Sequence, residues 1–122
     1  MAPGEPFRDR HRQQIERARA EAADRYGLPV AVFVGTVHSR ASAEAMLARL
    51  GPEAAETVLV AVDPASRRVE VVTGAAARSR VDDRVAALVT LSMTASFAVG
   101  DLAGGIALGV RMLGEHAGRA RR

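Results

Sequence analysis

The chain contains no cysteine, no lysine, no asparagine and no tryptophan. Without cysteine there is no disulfide scaffold, thiolate zinc site, iron–sulfur cluster or cysteine nucleophile. Without lysine there is no Walker A loop, which reaches its phosphates through that residue, and no G-x-G-x-x-G run stands in for it. Aromatic residues are scarce, one Tyr and three Phe, so the core has to be built from Ala, Val, Leu, Ile and Met. No G-x-S-x-G elbow presents a serine nucleophile. The three histidines, His11, His38 and His116, have no second ligand at a spacing such as HExxH. Only His38 follows a strand, at the end of the sheet where open α/β folds bind ligands.

What is present is one domain's worth of chain. It has 122 residues, 48% hydrophobic and 25% charged, an ordinary globular ratio that excludes disorder. The isoelectric point near 10.8 looks like that of a nucleic-acid binder. The formal net charge is only +3, however, because 17 arginines face 14 acids. Arg119, Arg121 and Arg122 fall in the last four positions, so the remainder is formally neutral. Too few phosphates can be neutralised for a specific nucleic-acid partner.

The stretch Met1–Phe7 lacks the apolar core of a signal peptide. Sixteen uncharged residues lie between Arg84 and Asp101, and nine more run from Leu102 to Val110. Neither run reaches the ~20 residues of a spanning helix. Joined, they would place Asp101 near the bilayer centre at a cost of roughly 2.5–3.5 kcal/mol. The expectation is a soluble, cytoplasmic protein with no transmembrane segment.

Apolar periodicity then sets out the elements. Residues 1–7, with two prolines, read as a flexible arm, and 8–26 as a charged surface helix ended by Gly27 and Pro29. Residues 28–117 form the α/β domain and 118–122 a basic tail. The run Val30–Val34 reads as a strand buried on both faces. Ala43, Met46, Leu47 and Leu50 make one stripe of a helix capped by Ser39 or Ser42. Thr57–Val62 is a second buried strand, and Asp63-Pro64-Ala65-Ser66 turns it into a hairpin with Arg68–Thr73. A helix opened by Asp82 or Asp83 turns Val85, Leu88, Val89 and Met93 inward. A second helix, starting at Asp101, buries Leu102, Ile106, Val110, Leu113 and Ala117. Its Gly104, Gly105 and Gly109 each cost up to ~1 kcal/mol against Ala, which points to close approach by a neighbouring element. The fold class is a single-domain α/β/α sandwich with a small mixed sheet, a βαββ unit followed by helices.

The residues with chemistry left in them are the aspartates. Asp63 ends a strand, Asp82 and Asp83 open one helix and Asp101 opens the next. Carboxylates at the ends of several elements can converge on a hard cation or activate water. Each also suits a local role, Asp63 as the first residue of a turn and Asp82 and Asp101 as helix caps.

The strand VAVFVG, the helix ASAEAMLARL and the hairpin TVLVAVDPASRRVEVVTG, followed by RSRVDDR and SFAVGDLAGGIALGVRML, resemble the TPM domain family. That family includes thylakoid-lumen proteins described as acid-phosphatase-like, and the likeness is greater to an actinobacterial branch of small uncharacterised members. Val81-Asp82 and the corner Phe97-x-x-Gly100-Asp101 carry it most sharply. The resemblance implies an α/β/α sandwich and an acidic surface near Asp82 and Asp101 that binds Ca2+ or Mg2+. The chain departs from the family at Thr73-Gly74-Ala75-Ala76, where one glycine stands in place of two.

Two functions are compatible with these residues. The missing nucleophile, lysine and histidine constellations favour a non-enzymatic accessory or protein-interaction module with a protein partner. The alternative is a weak divalent-metal-dependent acid phosphatase working through clustered aspartates.

Overall fold

The computed structural model describes residues 8–120; the expected arm 1–7 and the final residues Arg121 and Arg122 lie outside the described residues. The elements are α1 (Asp9–Tyr26), β1 (Val30–Val34), α2 (Arg40–Ala48), β2 (Val58–Asp63), β3 (Arg68–Thr73), α3 (Asp83–Ala98) and α4 (Leu102–Ala120). Short 3-10 turns occupy Gly51–Glu56 and Ala77–Ser79. α4 runs through Gly118, Arg119 and Ala120, so the first residues of the expected tail are helix.

The sheet has the order β1-β2-β3, with β1 and β2 parallel and β2 and β3 antiparallel. Side chains alternate across it. Val30, Val58, Val60, Val62 and Val71 face the layer of α1, α3 and α4. Leu59, Ala61 and Val72 face the other way, against Val37 and against Ala43 and Leu47 of α2. This is the expected three-layer sandwich. The central strand β2 is buried at every position, which explains its unbroken apolar run.

β1 does not match the expectation of burial on both faces. It is an edge strand, and Phe33 is 38% exposed. Its composition is that of a central strand, but strand position is decided by which neighbours arrive, and among the described residues no strand pairs with its far side.

The helices also depart from expectation in instructive places. Ser39 caps α2, its hydroxyl accepting from the Ser42 N–H while the Ser42 hydroxyl accepts from the Ser39 N–H. Leu50, expected on that helix's apolar stripe, lies beyond its end and is exposed. α1, expected to be a charged surface helix with only Ile15, Ala18 and Ala22 as its apolar face, buries those three residues. It lies along α4, where Gly114 and Gly118 press against Tyr26 and Ala22. Small residues on both helices let their backbones approach closely, so α1 is a wall of the core. On its other side α4 meets α3, with Gly105 against Ser96 and Phe97 and Gly109 against Met93. Gly105 and Gly109 make the close approach expected of them, whereas Gly104 adjoins only the Asp101 side chain at the start of its own helix.

In α3, Val89 and Met93 are fully buried, whereas Leu88, expected to point inward, is 45% exposed. Val89 and Met93 take the buried side of α3, and Leu88, turned ~100° from Val89, lies toward solvent. Among the described residues no helix is long and apolar enough to cross a membrane.

Candidate functional site

Asp63 is the most buried carboxylate that the sequence singled out. One oxygen, Oδ2, accepts the Val37 N–H at 3.0 Å; the other, Oδ1, accepts the Ala65 and Ser66 N–H groups at 3.1 and 3.2 Å. The Val37 bond does most to hold its carboxyl below the ordinary aspartate range. Burial opposes that bond, and the bonds from Ser66 and Ala65 add to it. Asp63 therefore ties the loop after β1 to the β2–β3 hairpin. Its oxygens are spent on backbone donors.

Asp82 and Asp101 each use one carboxylate oxygen on a backbone donor. Asp82 caps α3 by accepting the Val85 N–H at 2.9 Å, and Asp101 caps α4 by accepting the Gly104 N–H at 2.9 Å. Asp83 is exposed in the first turn of α3, where its charge suits the helix dipole. The whole of α3 separates Asp82 from Asp101. Sixteen residues at 1.5 Å rise hold them about 24 Å apart. Asp82 and Asp101 thus lie at opposite ends of α3, and a single ion does not reach both. Asp63 sits where β2 turns into β3, whereas the segment leading to Asp82 is anchored at the other end of the sheet. There Arg80 donates to the Gly27 carbonyl at 2.9 Å and also to the Tyr26 carbonyl. Among the described residues no three His, Asp or Glu side chains gather where they would hold a metal ion.

The histidines are dispersed. His11 closes the first turn of α1, its Nδ1 accepting the Arg8 N–H at 3.1 Å. His38 is exposed in the β1–α2 loop and His116 is half-buried on α4. A shallow cleft of about 260 Å³ lies where α1 begins and α3 turns into α4. Arg8, Arg10, His11, Val99, Asp101 and Leu102 contribute to its lining. Its lining is of mixed charge.

The more unusual feature is the outer face of α3. Leu88, Leu91 and Ala95 recur at helical spacing on its solvent side, and Val99 continues the line at its end. Leu91 is 68% and Val99 82% exposed. No charged residue interrupts the chain between Arg84 and Asp101. A surface helix ordinarily turns charged residues outward. This one does not. The signal was present in the sequence as sixteen uncharged residues, but it was assigned to burial.

A family model described as a domain of unknown function, DUF5130, matches residues 2–114. The chain belongs to the DUF5130 family. That finding corrects the resemblance to the TPM family, for which there is no match. No curated protein matches the DUF5130 chain. Among solved structures it is similar to the NMR structure of the BA42 protein from the psychrophilic bacterium Bizionia argentinensis. The TM-score is 0.85 at 14% identity, covering 98% of this chain and 86% of that one. At that identity the likeness shows the fold alone.

Proposed function

We propose that this DUF5130 chain is a non-enzymatic accessory domain that docks a partner protein through the outer face of α3. The observation that supports it is the uncharged helical stripe of Leu88, Leu91, Ala95 and Val99, left in water along a helix about 24 Å long. Single exposed leucines are ordinary; a contiguous apolar stripe is not. The partner's complementary surface is an apolar patch of similar length. Arg84 at one end of the stripe and Asp101 at the other give the docked partner a direction. The aspartates serve as caps and ties, so no observation favours the phosphatase alternative.

A photo-crosslinking residue at position 91, with a control at Glu115, tests the docking in cells. A discrete adduct is expected at 91 alone, and the partner it identifies should bind the purified chain. Leu88→Glu and Leu91→Glu should then weaken that binding at least tenfold, which is ~1.4 kcal/mol. Both side chains are exposed, so melting should change little. Equal cross-linking at the two positions, or wild-type affinity in both variants, overturns the docking. Turnover of a phosphomonoester that EDTA abolishes overturns the non-enzymatic part.

A further inference from the structure

The stripe on the outer face of α3 carries a charge at each end. Arg84 is exposed and stands four residues before Leu88, so Arg84, Leu88, Leu91, Ala95 and Val99 form one row at helical spacing. Asp101 follows just past Val99 and is also exposed. Among the described residues Arg84 makes no ion pair. Asp101 gives Oδ1 to the Gly104 N–H at 2.9 Å, and among the described residues no hydrogen bond reaches its Oδ2. The row thus runs from an unpaired cation, over an apolar centre, to a carboxylate with an oxygen to spare. Ala87, Ala95 and Ala98 are exposed between the larger side chains, so a second helix can lie close against them.

That order is its own complement when reversed. A helix laid antiparallel on this row needs a carboxylate opposite Arg84, a cation opposite Asp101 and an apolar row between them. A second α3 presents all three. Laid parallel, two copies would set Arg84 against Arg84, Asp101 against Asp101, and two helix dipoles side by side in the same direction.

We propose that the partner docked on α3 is a second copy of this chain, its α3 antiparallel to the first, with the two-fold axis at Leu91. The proposal rests on the α3 face being a docking surface and names what docks there. In a two-fold contact, residues equally far before and after the axis lie opposite each other. Leu91 therefore meets its twin, and Leu88 fills the space over the small Ala95 of the second copy. The stem of Arg84 covers Val99 of the second copy and brings its guanidinium to Asp101. Arg8 and Arg10 line the cleft beside Val99 and Asp101, and there the exposed Asp83 of the second copy supplies the opposite charge. Centring on Leu88 or on Ala95 instead would slide Arg84 and Asp101 ~9–12 Å apart, so the end charges fix the register. The contact covers the two most exposed large apolar side chains, Leu91 and Val99. One helix pair is at the small end of specific interfaces, so the dimer is reversible rather than obligate.

Sedimentation equilibrium of the full chain from ~1 μM to ~1 mM reads the association directly. The weight-average mass is expected to rise from one chain toward two. Leu91→Glu, which sets two carboxylates on the axis, should hold it at one. Arg84→Glu, which sets like charges at both ends, should weaken association about tenfold or more, and it decides should Leu91→Glu fail to fold. The chain has no cysteine, so an introduced thiol reports the register without background. Leu91→Cys is expected to oxidise in air to a disulfide-linked dimer. Val99→Cys, held about 24 Å from its twin, should not, but mixed with Arg84→Cys it should form the mixed dimer. A wild type that stays monomeric over the whole range overturns the second copy, and an adduct at position 91 with a different protein then leaves the docking face in place. Equal cross-linking at positions 91 and 115 removes both. Wild-type association in the folded Leu91→Glu variant, or disulfide formation by Val99→Cys alone as fast as by Leu91→Cys, overturns the antiparallel contact.

Discussion

A methyl group added at Gly104 would stand 2.1 Å from Oδ2 of Asp101, whose Oδ1 accepts the Gly104 N–H at 2.9 Å. The carboxylate and a Cβ at 104 cannot occupy the same place. In Gly104→Ala the carboxylate must swing away, giving up a cap worth ~0.5–2 kcal/mol. Alanine returns up to ~1 kcal/mol of helix propensity, so the single variant should be near neutral to mildly destabilised. Asp101→Ala loses the cap alone and should cost ~0.5–2 kcal/mol. In that background Gly104→Ala has nothing left to displace, and only the propensity gain remains. The double variant should therefore be more stable than the sum of the singles by about the worth of the cap, ~0.5–2 kcal/mol. Asp101→Asn keeps an acceptor oxygen and should melt close to wild type. Urea unfolding of the four proteins measures the cycle. Additivity within ~0.5 kcal/mol would refute the steric argument. A rise in melting temperature on adding Ca2+ or Mg2+ that vanishes in Asp101→Asn would show that the carboxylate binds a cation.

Gly74 allows no such escape. A Cβ there would lie 2.0 and 2.4 Å from the Ala54 and Ala55 carbonyl oxygens, which are backbone and cannot rotate aside. Gly74→Ala should cost at least ~1–3 kcal/mol in thermal or urea unfolding, and a neutral result would show that the 3-10 turn yields. Asp63 predicts the acid behaviour. Its folded carboxyl ionises below the unfolded value, so its contribution is fully present above the unfolded pKa, ~3.9. The contribution disappears as pH falls through the lower folded value. Asp63→Asn should lower the melting temperature at neutral pH, and the gap to wild type should narrow below pH ~4; a constant gap across pH 2–7 would contradict this.

Much of the architecture was legible because it is set locally. Ser39, Asp82 and Asp101 cap helices through bonds to residues three positions on. Asp63-Pro64-Ala65-Ser66 turns because the aspartate accepts from the two backbone N–H groups that follow the proline. The separation of Asp82 from Asp101 was legible too, since sixteen helical residues set a length; treating the aspartates as one acidic site overlooked it.

Other features depended on neighbours distant in sequence. Val30–Val34 and Val58–Asp63 are almost equally apolar, yet β2 lies between two strands and β1 at an edge. α1 reads as a charged surface helix with a narrow apolar face, but that Ala22 and Tyr26 would meet Gly114 and Gly118 of α4 was not legible in it. The uncharged run of α3 is equally compatible with burial and with an open face. Hydrophobicity records that a side chain gains from leaving water. Whether another surface arrives to cover it was decided only when α4 packed between α1 and α3, leaving the outer side of α3 in water.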